Sequence, residues 1–321
     1  MNHKIFIIGG AGYIGSHMVK AFALSNYEVI TIDNLSTGHA DAVLYGKLEV
    51  CDIRNEIQLD LLFKKYKPEA VIHLGALSIV SESFIHPQRY FDNNVNGTKK
   101  LLEVMLKNGC DNIVFSSTAA VFGNPAYIPI DENHKKEPTS PYGHTKLMVE
   151  RMLDDFSKAH KLSYIVFRYF NAVGQDNYSN LKERHNPETH LFPLIVQALK
   201  GIRENVTIYG TDYDTDDGSC VRDYIHVNDI CSAHLKGIEQ LMKKGKEIIS
   251  EDYNLGCGRG FSVKEVITEF KNITKLELNV NYDQRREGDP PILIACNKKA
   301  SKKLGFSPIE SNLNEVIKSL I

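Results

Sequence analysis

Apolar residues along this chain fall into two alternating textures. Short continuous runs at Ile5–Ile8, Val29–Ile32, Leu48–Val50, Ala70–Leu74, Ile113–Phe115 and Tyr164–Phe167 are rich in β-branched and aromatic side chains. Continuous runs, in place of strict alternation, mark strands buried on both faces, as in parallel sheets. Between them lie longer amphipathic stretches with helical spacing: Ile14–Leu24, Gln58–Tyr66, Tyr90–Leu106 and Tyr142–His160. Strand and helix in repetition predict an α/β fold, a Rossmann-type doubly wound parallel sheet. Past residue 170 the rhythm weakens. Loops rich in Asp, Asn, Gly and Pro (175–190, 210–220, 283–291) separate helices near Phe192–Leu199, Val227–Leu241 and Val263–Ile273. The expected organisation is a sheet domain over residues 1–170, receiving a helix from about 226–242, and a smaller irregular α/β domain over 171–321 at the C-terminal end.

Composition narrows the class. A chain of 321 residues has ample length to bury a core. Its net charge of −2 points away from a nucleic-acid backbone or an anionic membrane as main partner. No apolar run reaches the roughly 18 residues of a membrane span, and Ile5–Ile8 is too short for a signal-peptide core. The six cysteines are dispersed, with no C-x-x-C pair, and read as reduced thiols. A cytoplasmic location is the expectation.

Chemistry enters at the first strand–helix turn. In "IFIIGGAGYIGSH", Gly9, Gly12 and Gly15 stand directly between a strand and a helix. Such glycines permit a tight turn and let backbone N–H groups at the helix N-terminus approach a pyrophosphate. The following strand ends in Asp33, where an acid can bind the adenosine ribose hydroxyls and repel the extra phosphate of NADP. NAD is the expected cofactor. Downstream, Thr118 ends a strand, and Tyr142 and Lys146 form Y-x-x-x-K, one helical turn apart. A free phenol titrates near pH ~10, so a tyrosinate at neutral pH requires about 4 kcal/mol of stabilisation. A lysine ammonium together with the positive ring of oxidised NAD is the expected source.

The motifs "GGAGYIGSH", "IDNLSTG", "YFDNNVNGT", "FSSTAAVFG", "SPYGHTK", "RYFNAVG", "GSCVRDYIHVND", "YNLGCGRGFSV" and "RREGDP" occur in order from end to end. Together they resemble the UDP-glucose 4-epimerase (UDP-galactose 4-epimerase) family of the extended short-chain dehydrogenase/reductase superfamily. The resemblance implies an isomerase that inverts C4 of UDP-hexoses through a transient 4-keto sugar. It makes Tyr142 the proton carrier, Lys146 its electrostatic partner and Thr118 a bridge to the sugar hydroxyl. Gly9, Gly12, Tyr13, Ile14, Gly15, Asp33, Asn34, Asp52, Ile53, Leu74, Asn93 and Phe170 become cofactor contacts, joined by Tyr142 and Lys146. Asn171, His190, Arg222, Arg286 and Asp289 become substrate contacts, with the arginines on the UDP pyrophosphate. Leu293 becomes the wall beside the sugar's C2 substituent. Because Leu is smaller than Tyr, UDP-N-acetylhexosamines are expected alongside the plain hexoses. The family also implies a homodimer built on the helices Tyr90–Leu106 and Tyr142–His160, for which Leu101, Leu102, Met105, Met148, Met152 and Leu153 supply apolar positions.

Two positions depart from the family pattern: Ser78 stands where some members have Lys, and His190 where some have Asn. A 4,6-dehydratase shares the fold and NAD, but usually has Asp-Glu directly after the Thr, where this chain has Ala119-Ala120. Another nucleotide-sugar epimerase and a non-catalytic NAD-binding regulator are the remaining alternatives; the latter would be expected to lose Tyr142 or Lys146. No metal is expected. Asp212, Asp214 and Asp216 alternate as in a calcium loop, but the glycine falls one residue late and the twelfth position is Asp223 instead of Glu. The histidines show no H-x-x-x-H spacing.

Overall fold

The computed structural model describes residues 3–176, 181–286 and 288–321. Met1, Asn2, residues 177–180 of the Asn-rich loop and Glu287 of the "RREGDP" stretch lie outside the described residues.

Strand β1, Lys4–Ile8, carries nothing polar beyond its first residue. Phe6 and Ile8 enter one core cluster while Ile5 and Ile7 enter a second, so the sheet is covered on both faces. Continuous burial recurs in β2 (Glu28–Asp33), β4 (Ala70–His73), β5 (Asn112–Thr118) and β6 (Ser163–Tyr169); β3 (Lys47–Val50) is a more exposed edge. All six strands expected from the apolar runs are present. A seventh, Ser250–Leu255, joins them beside β6 to give one parallel sheet in the order 250–255, β6, β5, β4, β1, β2, β3. Its sequence, SEDYNL, is too polar to stand out as a strand.

One face is covered by α1 (Tyr13–Leu24) together with the helices Val227–Lys243 and Lys298–Leu304; Met18, Phe22, Ile230, Ile238 and Ala300 share that core. The other face carries α2 (Glu56–Tyr66) and the two helices expected to build a dimer. Of the positions motivating that dimer, Leu101, Leu102, Met105 and Leu153 are fully buried against the sheet, so they are core residues. Met148 is 45% exposed and Met152 half-buried. The expected helix Tyr90–Leu106 is present, with a break in its regular α ladder. After α3 (Val80–Ile85) and α4 (Pro87–Tyr90) comes a wide π turn, Phe91–Asn96, before α5 (Gly97–Lys107). The break accommodates Asn94, a buried amide that bonds Leu77 O and Leu77 N (3.0 and 2.9 Å) and Thr145 Oγ1 (3.0 Å). A regular turn would serve the ladder, whereas the π turn serves this side chain.

The sheet's order reverses at β1: β2 follows it on one side, and β4 is reached by crossing back to the other. The crevice beyond the strand ends at such a switch is where doubly wound sheets bind ligands. On the cap side, Asn171–Val173 pairs with Val221–His226, which also pairs with Gly260–Ser262 and Ile292–Leu293. Phe170 alone separates β6 from the cap, so no linker intervenes. The carboxylate of Asp223, read above against a calcium loop, is buried and accepts from the backbone N–H of Cys257, Gly258 and Ala295 at 2.8–3.1 Å. It knits the cap, and Asp212 pairs with Arg285 at 2.7 Å.

Candidate active site

A cavity of about 340 Å³ opens at the switch point. Gly9, at φ +80°, could not carry a side chain, because a Cβ would lie 2.6 Å from Gly75 N at the end of β4. A Cβ on Gly15 would lie 2.0 Å from Gly9 O. Close packing demands glycine at both positions, and both also line the cavity. Gly12 differs: a Cβ would meet nothing closer than Gly9 O at 3.5 Å, yet the residue lines the cavity. It is also the N-cap of α1 and makes no side-chain cap, leaving N–H groups of the first turn for an anion. Asp33 closes the turn by accepting from Ala11 N (3.0 Å) and Leu35 N (2.8 Å), and its remaining lone pairs suit ribose hydroxyls. The cavity therefore fits a dinucleotide. Tyr13, Ile14, Asn34, Ile53, Leu74, Ser78 and Asn93 also line it. Asp52 stands behind the wall, tied to Arg54 at 2.7 Å and to Asn34 Nδ2 at 3.0 Å.

The same cavity reaches Thr118, Tyr142 and Lys146. Helix α6 (Pro141–His160) starts sharply because Ser140 Oγ accepts from Gly143 N at 3.1 Å and Pro141 occupies its first turn. That start sets Tyr142 and Lys146 one turn apart. Thr118 faces the cavity beside the Tyr142 phenol, and its Oγ1 accepts from Ala120 N at 3.1 Å. Lys146 Nζ donates to Ser116 O at 2.7 Å and lies 5.9 Å from the Tyr142 ring centroid. Burial pushes the phenol up to about 12, with Thr118 pulling weakly the other way. Burial likewise pulls the Lys146 ammonium down to about 7, opposed in part by Glu150. The protein's own surroundings thus keep Tyr142 protonated at neutral pH, because burial disfavours the phenolate.

Behind this trio lies a buried ion network that the motifs did not announce. Glu150 accepts from Ser117 Oγ (2.6 Å) and from Arg168 at 2.8 Å through both oxygens; Arg168 also reaches Asp252 at 2.6 Å. The signals were an arginine inside the apolar run "IVFRYF" and an acid one turn beyond Lys146.

Phe170, Asn171 and His190 also line the cavity, where β6 passes into the cap. Arg222, Arg286, Asp289 and Leu293 are not among the residues that line it. Leu293 is half-buried and packs with Phe170 onto a small cluster of Val121, Phe122, Ile130 and Leu147. It stands in register with Arg222. Arg222 and Arg286 converge on one carboxylate, Asp289, at 3.5 and 2.9 Å. His190 belongs to a group of four with Glu183, His185 and Glu188. Spacing rules based on H-x-x-x-H pass over it, because carboxylates supply half the set.

Comparison with known proteins agrees with this geometry. The profile of the NAD dependent epimerase/dehydratase family matches residues 5–256. A UDP-glucose 4-epimerase of Rhizobium meliloti is 44% identical over 96% of this chain and 93% of its own. The crystal structure of UDP-glucose 4-epimerase from Brucella ovis in complex with NAD superimposes with a TM-score of 0.95 at 41% identity, covering 99% of this chain and 97% of that one. The structure of the UDP-Glc/GlcNAc 4-epimerase of Campylobacter jejuni gives 0.85 at 37% identity over 99% and 98%. With the glycine turn, the tyrosine–lysine pair and the cap all in place, the chain belongs to the NAD-dependent epimerase/dehydratase family, among its UDP-glucose 4-epimerases.

Proposed function

We propose that this enzyme interconverts UDP-galactose and UDP-glucose by inverting C4, with Tyr142 as the proton carrier. The observation carrying the reading is that Tyr142 and Thr118 face the same cavity as the open Gly12 turn and Asp33. The chemistry NAD supplies when bound is reversible acceptance of a hydride, together with a positive ring in the oxidised form. Gly9, Gly12, Asp33 and the first turn of α1 would hold it. Ionised in the added field that the positive ring of bound NAD would supply, Tyr142 Oη would take the proton of the sugar 4-hydroxyl and later return it, with Thr118 beside it. Lys146, fixed on Ser116 O, adds positive charge on demand.

For the substrate, Arg222 and Arg286 grip the UDP pyrophosphate, exchanging the shared Asp289 carboxylate for phosphate oxygens. Asn171 and His190 flank the sugar-nucleotide path, and residues 171–321 form the substrate domain over a cofactor domain of 1–170 with helix 226–242. Leu293 beside Phe170 leaves more room than a Tyr would, which supports turnover of UDP-N-acetylhexosamines as well. The dual substrate name of the Campylobacter jejuni relative is consistent with that breadth. A homodimer through the outer faces of α5 and α6 is retained, resting on exposed Met148 and half-buried Met152. All six cysteines are free, which suits a reducing cytoplasm, and among the described residues no helix is long and apolar enough to cross a membrane.

The test is incubation of purified protein with UDP-galactose and no added NAD, followed by analysis of the product sugar. UDP-glucose is expected. A 6-deoxy-4-keto product would move the enzyme to the dehydratases, and an unchanged substrate with full NAD occupancy would refute the reading.

A further inference from the structure

The loop before helix Leu191–Leu199 carries four side chains, Glu183, His185, Glu188 and His190, whose ligand atoms all lie within 4.8 Å of one another. Two imidazole nitrogens converge on a single carboxylate oxygen: His185 Nδ1 is 2.9 Å and His190 Nδ1 2.8 Å from Glu183 Oε1. Glu188 reaches the same nitrogens at 3.9 and 3.2 Å. Both carboxylates are deeply buried, at 8% and 5% exposure, which creates a local demand for positive charge. His185 Nδ1 is shut off from solvent and lies 2.9 Å from Glu183 Oε1. Two ring nitrogens and two carboxylates that already converge this closely form a donor set a metal could take over by displacing ring protons.

We propose that Glu183, His185, Glu188 and His190 form a binding site for a divalent transition ion, Zn²⁺ by its chemistry. Two imidazoles and two carboxylates match the borderline ligands zinc takes, at bonds of about 2.0–2.2 Å that set tetrahedral donors roughly 3.3 Å apart. The observed 2.8–3.9 Å separations straddle that spacing. Position gives the ion a purpose. Glu183, His185 and His190 line the cavity that Gly12 and Asp33 open. Arg184, between two of the ligands, pairs with Asp41 at 2.9 Å, and its carbonyl lies 3.2 Å from His39 Nε2. An ion would therefore lock the rim of the cavity to the segment that follows β2.

The test uses full-length protein with its own NAD, stripped with a chelator and titrated with ZnCl₂ alone by calorimetry and with CoCl₂ alone by visible absorption. One Zn²⁺ per chain at micromolar affinity or better is expected, with the intense bands of tetrahedral Co²⁺. Glu183→Gln with His185→Gln should weaken Zn²⁺ binding by roughly 100-fold or more. Glu188→Gln alone, nearly isosteric and checked for an unchanged melting temperature without metal, should weaken it too. No saturable binding by the wild type, or equal binding by all three proteins, would return the cluster to a plain ion-pair strap.

Discussion

At Gly12 and Gly15 the same one-carbon change has opposite consequences. Gly15→Ala drives a methyl to 2.0 Å from Gly9 O, so it should cost several kcal/mol and yield little folded protein. Gly12→Ala meets nothing nearer than 3.5 Å, so its melting temperature without cofactor should match the wild type while NAD affinity falls at least about tenfold, equivalent to about 1.4 kcal/mol. Calorimetric titration of NAD into refolded protein distinguishes them; equal affinity would remove Gly12 from the cradle. Lys146 offers a pH signature. Its pKa is about 7 folded against 10.5 unfolded, so the unfolded chain binds the proton more tightly. The penalty of burying it is complete below pH 7 and fades as pH rises toward 10.5. Lys146→Met should therefore raise stability at pH 6 by on the order of 1–3 kcal/mol, allowing for the lost Ser116 bond, with the gain shrinking at pH 9, while turnover collapses. Urea unfolding at both pH values checks the sign. Leu293→Tyr places a larger wall beside Phe170, and UDP-N-acetylglucosamine turnover should fall tenfold or more for about 1.4 kcal/mol of added clash. Parallel loss of UDP-galactose turnover would show that Leu293 is core only.

Elements with a strong apolar signature were the legible ones. β1, β2, β4, β5 and β6 announce themselves because parallel strands buried on both faces carry continuous runs of β-branched and aromatic residues, and α6 does so through Ser140 and Pro141. What sequence reasoning missed was decided by single polar side chains finding tertiary partners. Asn94 is the clearest case: within "YFDNNVNGT" it looks like any helix residue, and only the fold reveals that its amide needs Leu77 and Thr145. Strand Ser250–Leu255 was hidden similarly, since Asp252 is polar only until Arg168 and Lys299 are seen around it, at 2.6 and 2.8 Å. The candidate site was legible where motifs carry it, in Gly12, Asp33, Tyr142 and Lys146, and illegible where position alone matters, in Glu150 and Arg168. The π turn gives a test. Asn94→Leu fills similar volume but abandons Leu77 N, Leu77 O and Thr145 Oγ1, and stranded buried groups cost about 1–3 kcal/mol each. Stability should drop by a few kcal/mol, and amide hydrogen exchange at residues 75–78 should accelerate well beyond that of β1. Uniform acceleration across the sheet would mean the turn has no local role.

At the scale of the whole molecule, the two halves of the chain share one sheet. Ser250–Leu255 supplies the outer strand beside β6, pairing residue for residue from Ser250↔Tyr164 to Leu255↔Tyr169. Helices Val227–Lys243 and Lys298–Leu304 cover the face on which Ile165 and Phe167 lie, through Ile230, Ile238, Leu241 and Ala300, with Phe306 just past the second helix. A boundary near residue 170 therefore does not describe what folds alone. Cutting there would uncover β6 along its hydrogen-bonding edge and strip the apolar cover from one face, and an open parallel edge with exposed Ile and Phe invites aggregation. The buried Arg168 would also lose Asp252 and keep only Glu150 as its anion. A fragment of residues 1–170 should accordingly be insoluble or show molten packing, with far-UV but no near-UV circular dichroism. Full-length protein should melt in one transition, with calorimetric and van't Hoff enthalpies in agreement. Two resolved transitions, or a 1–170 fragment that folds cooperatively and binds NAD, would show that the cofactor half is autonomous and that the strand and helices returned from the second half are ornament on a finished domain.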